Sequence, residues 1–133
     1  MSITPNFNTM QCPCNPQNLY ATCCQPLHLG THLAHTPLQL MRSRYSAYAM
    51  RQIDYLMHTT HASVLKLYPR ASVAQWANST IFYGLTILYA EGTIVEFEAQ
   101  FSTNNKPTEL LHERSVFIQE HGVWYYTKGE HLS

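Results

Sequence analysis

The chain has 133 residues, of which 45% are hydrophobic and 12% charged, enough to build one domain with a core that needs no disulfides and too apolar for a disordered tail. Eight Lys and Arg balance eight Asp and Glu, so the chain lacks the electrostatic footprint of a protein for duplex nucleic acid or an anionic membrane, and neither is expected as a partner. No window approaches 18 apolar residues and "MSITPNFNTMQ" carries neither the basic region nor the apolar run of a secretory signal, so the expected compartment is the reducing cytoplasm.

The first element is "CPCNPQNLYATCC", residues 12–24, which holds all four cysteines. Structural disulfides are disfavoured in a reducing compartment. Cys12 and Cys14 are one residue apart and Cys23 and Cys24 adjacent, so a bridge within either pair would strain the backbone. Cross-pairing would close a loop of about ten residues for modest stabilisation. No C-x-x-C redox spacing occurs. Two short pairs joined by a tight loop suit tetrahedral zinc held by Cys12, Cys14, Cys23 and Cys24, a closed and therefore structural site. The alternative is a set of unliganded thiols in a flexible arm.

"QPLHLGTHLAHTP" (25–37) follows as a connector. His28, His32 and His35 sit at ligand-like spacing, but Gly30 and the flanking prolines argue against a helix, so exposed histidines are expected, with His28 close enough to the cysteines to compete as a ligand. Thr36 and Pro37 mark a helix start. Leu38, Met41, Tyr45 and Tyr48 then form its core stripe, while Arg42 and Arg44 leave the stripe and are expected to reach a carboxylate. "QIDYLMHTT" predicts a second helix ending near His58 to His61. "ASVAQWANS", after Pro69, predicts a third presenting Val73, Trp76 and Ala77.

From residue 80 the period changes. "TIFYGLTILYA", "GTIVEFEAQFS", "ELLHERSVFIQE" and "GVWYYTKG" are rich in β-branched and aromatic residues, separated by turn signals at Glu91-Gly92, Asn104 to Pro107 and His121-Gly122. Val95, Phe97, Ala99 and Phe101 alternate with Glu96, Glu98 and Gln100, as in a sheet with one wet face. Helices followed by an antiparallel four-stranded meander give an α+β domain with helices on one curved face.

The spacing C-x-C-x8-C-C resembles the SEC-C motif, a zinc knuckle known from the C-terminus of the SecA translocation ATPase. Cys12, Pro13, Cys14, Tyr20, Cys23 and Cys24 match it. The motif's glycines are replaced by Asn15 and Gln17, and its lysines by Asn18, Leu19, Ala21 and Thr22. In SecA the knuckle binds the SecB chaperone and ribosomes, so the resemblance implies a protein partner in the translation or secretion machinery, without the basic surface. Beyond it, "LMRSRYSAYAMRQIDYLMHTTH", Trp76-Ala77, Gly84-Leu85, Val95-Glu96-Phe97, His112 to Ser115 and Gly122 to Tyr126 with Gly129 resemble the YchJ family, in which a SEC-C knuckle precedes a domain similar to nuclear transport factor two. The family's proline after the second helix is Ala62 here. The resemblance implies residues 1–30 as knuckle and connector. It implies residues 31–133 as a cystatin-like cone, a strongly curved antiparallel sheet wrapped by N-terminal helices, open at one end.

Such a cone suits a small binding or adaptor module for a protein partner or a small ligand, and the many tyrosines could supply an interface for a homodimer paired through its sheets. The alternative is a small hydrolase or isomerase. It would place His112 and Arg114 on the concave face as general base and anion binder, with Glu113 opposite and Tyr45, Tyr48 or His61 nearby. A structural reading competes with it, in which Arg42, Arg44 or Arg114 pairs with Glu96 or Glu113 to hold helix-to-sheet register.

Overall fold

The structure, a computed structural model, describes residues 9–132; the stretch considered above for a secretory signal lies, up to residue 8, outside them. A short hairpin opens the chain, β1 (Gln11–Cys12) and β2 (Asn15–Leu19), followed by a 3-10 turn over Tyr20–Thr22 and helix α1 (Gln25–His28). Helices α2 (Pro37–Ala49), α3 (Ile53–His58) and α4 (Arg70–Ser79) come next, with a 3-10 turn at Ala62–Leu67. Strands β3 (Thr80–Glu91), β4 (Ile94–Thr103), β5 (Glu109–Glu120) and β6 (Val123–His131) form one antiparallel sheet in chain order. This is the expected α+β cone with a cysteine knuckle at its N-terminal end.

The turns follow from residue chemistry. Asn104 and Asn105 stand at φ 50° and 62°, and His121 and Gly122 at 53° and 79°. Paired left-handed residues are what a tight hairpin turn needs, because its twist then matches that of the strands. Glycine and asparagine tolerate that region at little cost.

Helix α2 begins where the sequence indicates: the Gln39 amide donates to the Thr36 hydroxyl at 3.1 Å, the N-cap bond that satisfies one orphan donor. Its buried surface is wider than one stripe. Leu40, Ser43, Ser46 and Ala47 are as buried as Met41 and Tyr45, because α2 packs against the sheet on one side and against α1 and α3 on others.

The connector differs from expectation in containing α1. Pro26 stands in its first turn, where a missing N–H costs nothing. Gly30, at φ 80°, follows closely after the helix ends.

One core cluster joins Cys12, Cys14, Tyr20 and Cys24 to Leu40, Met41 and Tyr45 of α2 and to Val95, Phe97, Ala99 and Phe117 of the sheet. Phe117 is 1% exposed, and each large side chain buried that fully contributes ~1.5–3 kcal/mol. The knuckle thus shares the main core and does not hang from it as an arm.

Candidate metal centre and cone cavity

The hairpin turns Cys12 and Cys14 inward, and the 3-10 turn returns Cys23 and Cys24 beneath them. No pair is bridged. Sγ of Cys14 lies 3.6 Å from Cys12, 3.6 Å from Cys23 and 3.7 Å from Cys24, and Cys23 and Cys24 are 3.9 Å apart. All four sulfurs fall within 4.8 Å of one another. A tetrahedron with metal–sulfur bonds of ~2.3 Å has edges of about 3.8 Å, so the donor set fits a single tetrahedral ion.

The four thiols perturb one another's titration through hydrogen bonds and burial. Hydrogen bonding with Cys12 and burial push Cys14 up to about 12, hydrogen bonding with Cys12 and Cys14 together with burial push Cys24 far up, and hydrogen bonds from Cys14 and Cys24 pull Cys12 far down. A divalent ion at the centre would stabilise every thiolate at once.

His28 is half-buried, unlike exposed His32 and His35, which corrects the expectation of exposure, and the candidate ligand group holds the four cysteines without it. Its Nε2 lies 2.8 Å from the Ser43 carbonyl oxygen, which can only accept, so Nε2 carries the proton. Nδ1 then accepts from the Tyr20 hydroxyl at 2.7 Å. Both ring nitrogens are occupied, and burial lowers the pKa of the ring, holding it neutral. The knuckle is fastened to α2 twice more. Arg42 Nη1 donates to the Cys14 carbonyl at 3.1 Å, and Cys12 Sγ lies 3.5 Å from the Ser46 hydroxyl.

On the opposite side of α2 a cavity of about 410 Å³ opens between helix and sheet. Met41, Arg44, Tyr45 and Tyr48 form its helical wall, and Phe97, Glu113, Phe117 and Tyr126 stand on the sheet side. Among the described residues neither Arg42 nor Arg44 reaches a carboxylate, contrary to expectation. Arg44 Nη1 donates to the Leu56 carbonyl at 3.0 Å and to the Thr59 and Thr60 hydroxyls at 2.7 and 3.2 Å. Leu56 lies in the last turns of α3, where carbonyls lack helical partners and the dipole favours a cation. The Arg44 guanidinium also sits 4.4 Å from the centre of the Tyr126 ring.

His112 and Arg114 share one face of β5 and Glu113 takes the other, but the face toward the cavity is that of Glu113 and not the one the enzyme reading requires. Glu113, opposite Phe97 and His131 in register, lines the cavity. His112 and Arg114, opposite Glu98 and Glu96, stand on the outer face and not in the cavity. Both bind one carboxylate there: His112 Nε2 is 2.8 Å and Arg114 Nη2 3.1 Å from Glu96. His112 and then Arg114 hold the Glu96 carboxyl below the usual carboxylate range. His61 is also remote. It accepts the Ser63 amide through Nδ1 at 3.2 Å and meets Glu120 through Nε2 at 2.7 Å. A general base and an anion binder therefore do not come together at His112 and Arg114. Arg114 does pair with Glu96, but the pair joins strands β5 and β4 on the outer face and does not hold helix to sheet.

Glu113 is the cavity's carboxylate. Its Oε2 accepts from Ser115 at 2.6 Å and its Oε1 lies 3.3 Å from His131 Nε2. A Cβ at Gly129 would stand 2.5 Å from the Glu113 carboxyl carbon and 2.7 Å from the Tyr126 hydroxyl. Only glycine lets these two polar groups converge against the strand. The sequence leaves open which face of the strand lines the cavity and shows Arg44 only as a charge in an apolar helix; a signal for the first is Ser115, two residues on and sharing the face of Glu113.

The family model described as "YchJ, middle NTF2-like domain" matches residues 36–129. A UPF0225 protein of Pectobacterium carotovorum is 39% identical over 91% of this chain and 83% of its own length. A UPF0225 protein of a Shewanella strain is 38% identical over 91% and 80%. The solution structure of a SEC-C motif containing protein from Rhodopseudomonas palustris is similar with TM-score 0.83 at 36% identity, covering 93% of this chain and all of that one. The crystal structure of a SEC-C motif containing protein from Psychrobacter arcticus is similar with TM-score 0.77 at 29% identity, covering 92% and 82%.

Proposed function

The chain belongs to the YchJ (UPF0225) family, and from that premise we propose that it is a small-ligand binding module whose wall is braced by a structural zinc ion at Cys12, Cys14, Cys23 and Cys24. The observation that carries the reading is the double role of α2. One side of the helix takes the knuckle through Arg42, Ser43 and Ser46, and the other presents Met41, Arg44, Tyr45 and Tyr48 to the cavity. Bound zinc would fix the hairpin, the hairpin would fix α2, and α2 would hold the pocket open. A four-thiolate zinc has no position for substrate water, so it supplies folding energy and no chemistry.

A cavity walled by rings, with few polar groups converging in it, is the usual form of a small-molecule site. The cytoplasm suits the reading, because a reducing compartment keeps the thiols available. A protein partner from the translation or secretion machinery would meet the exposed and uncharged β2 of the knuckle. A second copy would meet exposed Ile81, Tyr83 and Leu110 on the sheet. Elemental analysis, together with a thermal-shift screen of small ring compounds on the metal-loaded and chelated protein, tests the reading. Zinc in the purified protein and ligand shifts that shrink on chelation are expected. A zinc-free protein with unchanged shifts overturns it.

A further inference from the structure

Arg44 is 7% exposed, and its three hydrogen bonds all leave from Nη1. Nε and Nη2 make none, yet no buried polar side-chain atom among the described residues lacks a partner. Both nitrogens therefore keep accessible surface, and for a residue buried this deeply in a cavity wall that surface is the cavity itself. The Nε and Nη2 hydrogens form the side edge of the guanidinium, two parallel donors that match the two oxygens of a carboxylate. The acceptors on Nη1 are neutral, so the charge of Arg44 has no directly bonded counter-ion. In the same cavity Glu113 offers a carboxylate, already taking one bond from Ser115 and lying beside His131. A ligand that brought only a negative charge to Arg44 would meet Glu113 uncompensated. A ligand that brought only a positive charge would leave the Arg44 edge dry and unpaired, which is costly in a low-dielectric site.

We infer that the cone cavity binds a ring-bearing zwitterion, with a carboxylate on the free edge of Arg44, an ammonium or N–H group on Glu113, and its ring among Tyr48, Trp76 and Phe97. This deepens the proposed function and rests on the cavity being a binding site. Aromatic walls supply the apolar contact, and the two fixed charges supply orientation.

Titration calorimetry on the zinc-loaded full chain, with Trp76 fluorescence as a second readout, tests it with five probes. Toluene carries the ring alone, benzoate adds the carboxylate, benzylamine adds the ammonium, and 3-(aminomethyl)benzoate and phenylalanine carry both at different spacings. At least one zwitterion is expected to bind tenfold or more tighter than the other three compounds. Arg44→Lys, which keeps the charge and loses the planar edge, should weaken that probe at least tenfold. Glu113→Gln, a change of nearly equal shape at a site 14% exposed, should reverse the order so that benzoate binds at least as well as the zwitterion. This second variant keeps the test decisive where Arg44→Lys fails to fold. If toluene binds as tightly as both zwitterions, or Glu113→Gln leaves the order unchanged, the inference is overturned and the cavity still stands as a ligand site. If none of the five binds, both fall.

Discussion

The guanidinium of Arg42 donates to the carbonyl oxygen of Cys14 at 3.1 Å across 28 positions of sequence. This bond joins the cysteine hairpin to the helix that walls the cavity. Arg42→Met keeps most of the packing of the side-chain stem and removes the bond. It should cost about 1 kcal/mol, since the donor is charged but only half-buried. Thermal unfolding of the zinc-loaded protein reads the loss, and release of zinc to a colorimetric chelator should be faster than in the wild type. Unaltered release would show that the knuckle does not depend on this tether.

Cys14 is the sulfur closest to all three others, within 3.7 Å of each. Cys14→Ser should lower bound zinc from one ion per chain to well below half. Four thiols should react with a thiol reagent after chelation and few before it. Since metal binding to such a set is folding free energy, chelation should lower the wild-type melting temperature by more than it lowers that of Cys14→Ser. Equal responses would separate the ion from these sulfurs.

Gly129 stands where a Cβ would press on the carboxyl of Glu113 and the hydroxyl of Tyr126. Gly129→Ala should cost about 1–2 kcal/mol in denaturant unfolding, the range of an overpacked site. The carboxylate can swing aside, but the ring of Tyr126 meets Tyr68 and Phe117 edge to face at 5.7 and 5.8 Å and has little room to move. Ligand binding should fall in parallel, because the displaced carboxylate is the cavity's acceptor. A variant as stable as wild type with unchanged binding would refute the convergence of the two groups.

Glu96 titrates below the usual carboxylate range because His112, and then Arg114, stabilise its charged form. A depressed folded-state pKa adds stability that is complete above the unfolded value of about 4.3 and is lost as pH falls through the lower folded value. Glu96→Gln should therefore be less stable than wild type at pH 6. The gap should close as the solution is acidified below about pH 4. Urea midpoints between pH 3 and 7 check the sign, and a gap that widens in acid would contradict it.

Much of this fold was legible because its signals are local. The capped start of α2 needs only Thr36 and Pro37, the hairpin turns need only Asn104-Asn105 and His121-Gly122, and the four clustered cysteines lie within one stretch of 13 residues. Helix α1 was hidden by a proline and a glycine that serve as its start and stop signals. The breadth of α2's buried face was hidden as well. Leu40, Ser43 and Ala47 are covered by partners distant in the chain, and no periodicity within α2 reveals them.

What the sequence by itself determined is the set of chemical parts: a cluster of four sulfurs, an antiparallel meander, and a strand, β5, with His112 and Arg114 on one face and Glu113 on the other. Which face became the cavity was decided only by tertiary structure. Strand β5 carries apolar residues on both faces, with Leu110, Val116 and Ile118 on one and Leu111 and Phe117 on the other, so its own pattern is ambiguous. Pairing of Phe97 with Glu113 in register, and of Glu96 with Arg114, aligned it with the clear alternation of β4. A slip of one residue exchanges every side chain between the two faces. For the same reason Arg44, which a sequence shows only as a charge in an apolar helix, became a buried cation with one edge bound to the end of α3 and the other open to the cone.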